Sequence, residues 1–197
     1  PGKYFVSLAK IVQGETIALG TPIAFTIKAL ENRSLPATDR MFLDEFNRKV
    51  LRLSGAIGAC GQTLQEVISQ LRYIDAALLK SEVAQSHPAV LLSENIATKV
   101  REISIELNGD RIASTLDMDR PPSVGGRVGM LVYMLFSSTS APTQTNIESY
   151  AIAEEEFEPV LNQIRKLVSE DLKSLQAQLL LVGAPYTPYT LPRVPAY

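Results

Sequence analysis

The chain has 197 residues, 46% of them hydrophobic and 20% charged, and a net charge of −2. The balance is ordinary for a globular chain, and the mixed signs leave no basic footprint for nucleic acid and no polybasic membrane patch. No apolar run reaches the ~18 residues of a membrane span. One cysteine (Cys60) and one histidine (His87) exclude an internal disulfide, a multi-thiolate metal site and a His-rich zinc or iron site.

In chain order, the start PGKYFVSL has no signal-peptide shape and no initiator Met, and it reads as the middle of a longer polypeptide. Residues 1–36 carry strand patterns. Tyr4, Val6 and Leu8 alternate with Phe5, Ser7 and Ala9; Gly14 marks a turn; TIAL is a short second run. Gly20 to Pro22 break that run, and Ile23, Phe25 and Ile27 alternate again. The expectation is a three-strand meander, too small to bury a core alone. It must pack on the helices or end an immunoglobulin- or fibronectin-like sandwich, whose penultimate strand PGKYFVSL resembles.

Pro36 ends the extended part, and Thr38 or Asp39 can cap a helix. From there Leu43, Phe46, Val50, Leu53, Ile57, Cys60, Leu64, Val67, Leu71, Ile74 and Leu78 follow a 3,4 spacing without a miss, predicting one helix of roughly 50–60 Å. Gly55, Gly58 and Gly61 lie inside it and suggest close approach of another helix, or else a bend. Ser86 can cap a second helix with Pro88 in its first turn and a stripe of Leu92, Ile96, Val100, Ile103 and Leu107. Asn108 to Asp110 stop it, and DMDRPPS is a rigid polar connector. Ser123 can cap a third helix, VGGRVGMLVYMLF, apolar on most faces and so expected to be largely buried.

The last helix carries Ile147, Tyr150, Phe157, Leu161, Ile164, Val168, Leu172, Leu175, Leu179 and Val182. Its 164–168–172 steps form a stutter, and Pro159 predicts a kink. Gly183 and Pro185 end it, and residues 186–197 form an extended proline-rich tail. Three long helices and one shorter one over residues 37–185 predict an antiparallel four-helix bundle, making the fold mainly α.

No candidate constellation is strong. His87 sits in a turn and needs an acid and a nucleophile to matter chemically. Cys60 falls on the seam and reads as a small core residue. Glu154 and Glu158 share a helix face, the spacing of a carboxylate metal site, but di-iron bundles pair such glutamates with histidines that these helices lack; a solvated acidic face is the plainer reading. VGGRVG lacks the lysine and hydroxyl of a phosphate loop and reads as glycines for helix packing. NRS at Asn32 fits a glycosylation sequon. The serine-rich SSTSAPTQTN, residues 137–146, lacks the geometry of a nucleophile elbow and reads as a helix start, with Pro142 in the first turn and Ser140 or a nearby threonine as the cap. The residues themselves therefore indicate no catalytic site and no cofactor.

The run from GGRVGMLVYMLF through GAPYTP, with RVG, STSAPT, YAIAEEEF, Asp171–Leu172 and the upstream GDR and PPS, resembles the C-terminal region of large bacterial secreted proteins that carry a sortilin-like, BNR-repeat β-propeller and are often labelled glycosyl hydrolases. The segments PGKYFVSL, LGTPIAFTIKAL and LPATDR extend the likeness to most of the chain. The resemblance implies a secreted or periplasmic location. It also implies a non-enzymatic module whose partners are the rest of its own polypeptide, the propeller and a β-sandwich, and a possible further protein. Any hydrolase site would lie in the propeller, outside these residues. A coiled-coil oligomerisation module is the alternative, and a carboxylate metal enzyme using Glu154 and Glu158 is a further one.

Overall fold

The computed structural model describes residues 1–28 and 37–188. The chain divides into two units, residues 1–36 and residues 37–197. The sequon at Asn32 and most of the proline-rich tail lie outside the described residues.

The first unit corrects the expected meander. Strand β1 (Gly2–Val6) pairs antiparallel with β4 (Ile23–Ile27), and β2 (Ala9–Val12) pairs with β3 (Glu15–Ala18). The four strands make one long hairpin ribbon rather than three strands side by side. Its tip is a two-residue turn in which Gln13 and Gly14 both adopt positive φ, 52° and 85°, the backbone that matches strand twist in tight hairpins. Between the ladders, Ser7 and Leu8 face the longer stretch Leu19 to Pro22, and Leu19 N–H donates to the Leu8 carbonyl at 2.8 Å. Pro22 has no N–H to donate, so the ladder resumes only beyond it.

The second unit is mainly helical. Helix α1 (Arg40–Lys80) runs unbroken for 41 residues, as its apolar spacing predicts, with the Asp39 carboxylate accepting from Phe42 N–H at 2.9 Å. Helices α2 (Pro88–Asn108), α3 (Arg111–Thr115), α4 (Val124–Ser137), α5 (Gln144–Lys166) and α6 (Leu172–Leu181) follow. The five-residue α3 has no counterpart in the sequence reading, which stops a helix at Asn108 to Asp110 and places its connector at residues 117–123. Helix α1 packs against α2, α4 and α5, and α2 also meets α4, α5 and α6. One apolar cluster gathers Phe46, Leu64 and Ile74 of α1 with Ile96 and Leu107 of α2, Val128 of α4, Phe157 of α5 and Leu175 of α6. Removing such side chains from water, at about 25 cal/mol per Å², is what holds helices whose propensity alone is marginal.

Three expectations need correction within this unit. The glycines of α1 do not receive another helix: a Cβ at Gly55, Gly58 or Gly61 meets nothing within 4 Å. Close packing occurs instead at Gly125 of α4, where a Cβ would stand 2.7 Å from the Leu107 carbonyl oxygen. Helix α4 is not largely buried. Only Val124, Val128 and Leu131 are, because its neighbours cover one side. Finally, the stutter is resolved by a π turn, Leu167–Asp171, joining α5 to α6. The wide turn absorbs one extra residue, so the core step goes from Leu167 to Leu172. Leu167 is 1% exposed and Val168, the expected seam residue, is 40% exposed.

The caps also differ in detail. His87, not Ser86, caps α2, its Nδ1 accepting from Ala89 N–H at 3.2 Å, with Pro88 in the first turn. Of the two options for α5, the nearby threonine holds: Thr143 caps it, accepting from Asn146 N–H at 3.3 Å, which leaves Pro142 just before the helix rather than in its first turn. Ser123 caps α4 as expected. Across α1 and α2 the buried Ser93 hydroxyl donates to Asp75 Oδ1 at 2.7 Å. Replacing Ser93 with Ala should cost about 1–2 kcal/mol, the scale of a hydrogen bond to a charged group. Urea unfolding checks this; a change below ~0.5 kcal/mol would mean that water replaces the serine.

Candidate functional site

The hairpin carries an exposed apolar face. Pairing places Tyr4 opposite Phe25 and Val6 opposite Ile23, with Ile27 on the same face. The two rings lie 5.9 Å apart, centroid to centroid. All five side chains are at least 45% exposed. The opposite face of that ladder carries Lys3, Phe5, Ala24 and Thr26. One side is thus apolar throughout and the other mixed, the alternation of a strand pair built to cover a core on one face only.

In the helical unit a cleft of about 1040 Å³ opens where α2 ends. Ile105 and Glu106 of α2, Arg111 of α3, Arg120 and Pro121 of the following loop, and Pro159 of α5 are among its walls. Glu106, Asp110, Arg120 and Glu156 in its lining are tied into the fold. Asp110 accepts from Ile112 and Ala113 N–H at 3.0 and 3.1 Å and pairs with Arg120 at 3.6 Å. Arg127 pairs with Glu156 at 3.4 Å, and Gln163 donates to Glu106 at 3.3 Å. The Asp110–Arg120 pair fastens the loop between α3 and α4, and the other two contacts tie α4 and α2 to α5. They do not assemble a nucleophile, a base and an orienting acid.

The residues singled out in the sequence stand apart. His87 caps the N-terminal end of α2, roughly 30 Å along the axis from the cleft at its other end. Cys60 is buried in the α1 seam, and burial pushes its thiol up, opposed by the charge of Arg165. Burial and a raised pKa both make such a thiol less reactive than an exposed one. Glu154 Oε1 accepts from the Tyr150 hydroxyl at 2.9 Å. Burial, that hydrogen bond and the negative charge of Glu154 push the Tyr150 phenol up to about 12. Glu158 is exposed on the same helix. Among the described residues no three or more His, Cys, Asp or Glu side chains converge as metal ligands.

The serine stretch is structural. Ser137 Oγ donates to the Tyr133 carbonyl at 2.7 Å, and Ser138 Oγ accepts from Ser140 N–H at 3.1 Å. These bonds close α4 and lead the chain into α5. The sequence reading misses the exposed row Met130, Tyr133 and Phe136 on α4. The available signal was the near absence of charge in that helix, taken there as a sign of burial. Among the described residues no helix is long and apolar enough to cross a membrane. In comparison with known proteins, the chain matches no family model, no curated protein and no solved structure.

Proposed function

We propose that this chain is a non-catalytic structural and interaction module at the C-terminal end of a larger exported protein that carries a β-propeller. In this reading residues 37–185 form an antiparallel four-helix bundle, and the hairpin of residues 1–28 completes a β-sandwich supplied by the rest of the polypeptide. The uncovered face of Tyr4, Val6, Ile23, Phe25 and Ile27 carries the proposal. A two-stranded ribbon is marginal in water, and an apolar face of this kind is stable only when a second layer lies on it. The propeller and the exported location rest on the family resemblance of the sequence.

A coiled-coil module built on the α1 seam is disfavoured by one observation. The seam residues from Phe46 to Leu78 are already buried within this chain, leaving no apolar stripe of α1 for a partner helix. A carboxylate enzyme is disfavoured because Glu154 is engaged with Tyr150.

The test is Phe25→Asp in the longer polypeptide. A charge buried between two β layers should destabilise the preceding β domain by at least about 2 kcal/mol. The helical melting transition should stay where it is. Equal stability of wild type and variant would remove the sandwich reading.

A further inference from the structure

Helix α4 is unlike its neighbours. Its only charged residue is Arg127, which is half-buried and paired with Glu156 of α5. The outward side instead shows Met130 at 63%, Tyr133 at 69% and Phe136 at 82% exposure. Gly126 and Gly129 are exposed on the same helix, and a Cβ at Gly129 meets nothing within 4 Å. At about 100° per residue these five positions fall within one sector roughly 120° wide. The surface is therefore a face with two bulky rings at one end and two missing side chains at the other.

That arrangement is self-complementary. Gly126 and Phe136 each lie five residues from Leu131, and Gly129 and Tyr133 each lie two. When two copies of α4 lie antiparallel about a two-fold axis at the level of Leu131, Phe136 falls opposite Gly126 of the other copy. Tyr133 falls opposite Gly129. Each ring then enters the space left by a glycine, and no charge is stripped of water. A two-fold pair needs a patch that matches itself, and this face matches itself in size as well as polarity.

We propose that α4 is a homodimer interface, with Tyr133 and Phe136 of each copy seated on Gly129 and Gly126 of the other. The occupant of the face is a second copy of this chain. The exposed parts of Met130, Tyr133 and Phe136 supply roughly half of the about 800 Å² per partner found in stable complexes. The dimer is accordingly weak and concentration-dependent.

Sedimentation equilibrium of the whole chain, from micromolar to submillimolar concentration, tests this. The mean mass should rise towards twice the monomer mass. The double variant Y133S/F136S should weaken association at least about tenfold, as loss of central aromatic anchors does. Gly129→Leu fills the notch from a position open in the monomer, so it should fold and weaken association as well. Phe25→Asp on the hairpin should leave association unchanged, which separates this surface from the proposed β-sandwich contact. A monomer throughout, or a dimer insensitive to both α4 changes, would overturn the proposal.

Discussion

Truncating Leu167 to Ala should destabilise the helical unit by about 2–5 kcal/mol, whereas Val168→Ala should change it by less than about 0.5 kcal/mol. The adjacent residues differ by one methylene but stand on opposite sides of the π turn Leu167–Asp171. Leu167 is 1% exposed and belongs to the core cluster; Val168 is 40% exposed. A cavity at 167 loses contacts with α-helical neighbours that cannot all collapse into it. At 168 the lost methyl groups face water, and Ala is the better helix former. An unbroken α-helix with its seam at 164, 168 and 172 predicts the reverse order. Urea unfolding of both variants decides between them. The π turn also sets Asp171 where its Oδ2 meets Lys99 Nζ of α2 at 2.7 Å, a partly exposed pair that adds at most modest stability.

The second large effect is expected at Gly125. An alanine there puts Cβ 2.7 Å from the Leu107 carbonyl oxygen. That atom is backbone, so it cannot rotate aside, and α2 and α4 must separate at their closest approach. Gly125→Ala should therefore cost about 1–3 kcal/mol, the range of an overpacked core. Gly58→Ala in α1 should do the opposite and stabilise by up to about 1 kcal/mol, because its Cβ meets open space and the unfolded chain loses freedom. For a chain of this size each kcal/mol corresponds to roughly 2–4 °C in melting temperature. Thermal melts in which both changes act in the same direction would contradict this account of the α2–α4 contact.

The contrast between these glycines marks how far the sequence could be read. The α1 seam was legible from Phe46 to Leu78 because a long helix with one buried stripe repeats its apolar residues at 3 and 4. The same periodicity says nothing about which helix has a neighbour at a given glycine. Gly55, Gly58 and Gly61 looked like a packing notch and face open space, while the glycine pair in VGGRVG does contain a real close approach, at Gly125. Strand patterns in residues 1–28 were legible too, since Tyr4, Val6, Phe25 and Ile27 alternate. Their pairing was not, because alternation fixes which residues share a face and leaves the partner strand open. The stutter near residue 168 announced an irregularity. Whether it would become a supercoil shift or a π turn depends on contacts with α2 that no local pattern contains.

Composition misled most at α4. Its apolar run predicts burial, yet Tyr133 and Phe136 face outward. Apolar content reports that a surface is to be covered and leaves unstated by what, and here a second copy of the helix is proposed. The candidate residues followed the same rule. His87, Cys60 and the serines of residues 137–146 each acquire a local structural role, as cap, core residue and helix terminus. Their types alone could not distinguish these roles from chemistry, since a catalytic group is defined by neighbours brought from elsewhere in the chain.

The most direct test of the proposed module is amide hydrogen exchange of β1 and β4, followed in this chain and in the longer polypeptide. In this chain the amides of Tyr4, Val6, Phe25 and Ile27 should exchange far faster than those of Leu64 and Val67 in α1, because a lone ribbon opens at little cost. With the preceding β-structure attached, the hairpin amides should slow by at least about a hundredfold while α1 stays the same. Hairpin amides as protected in this chain as in the longer one would show that the ribbon needs no second layer, and would contradict the module.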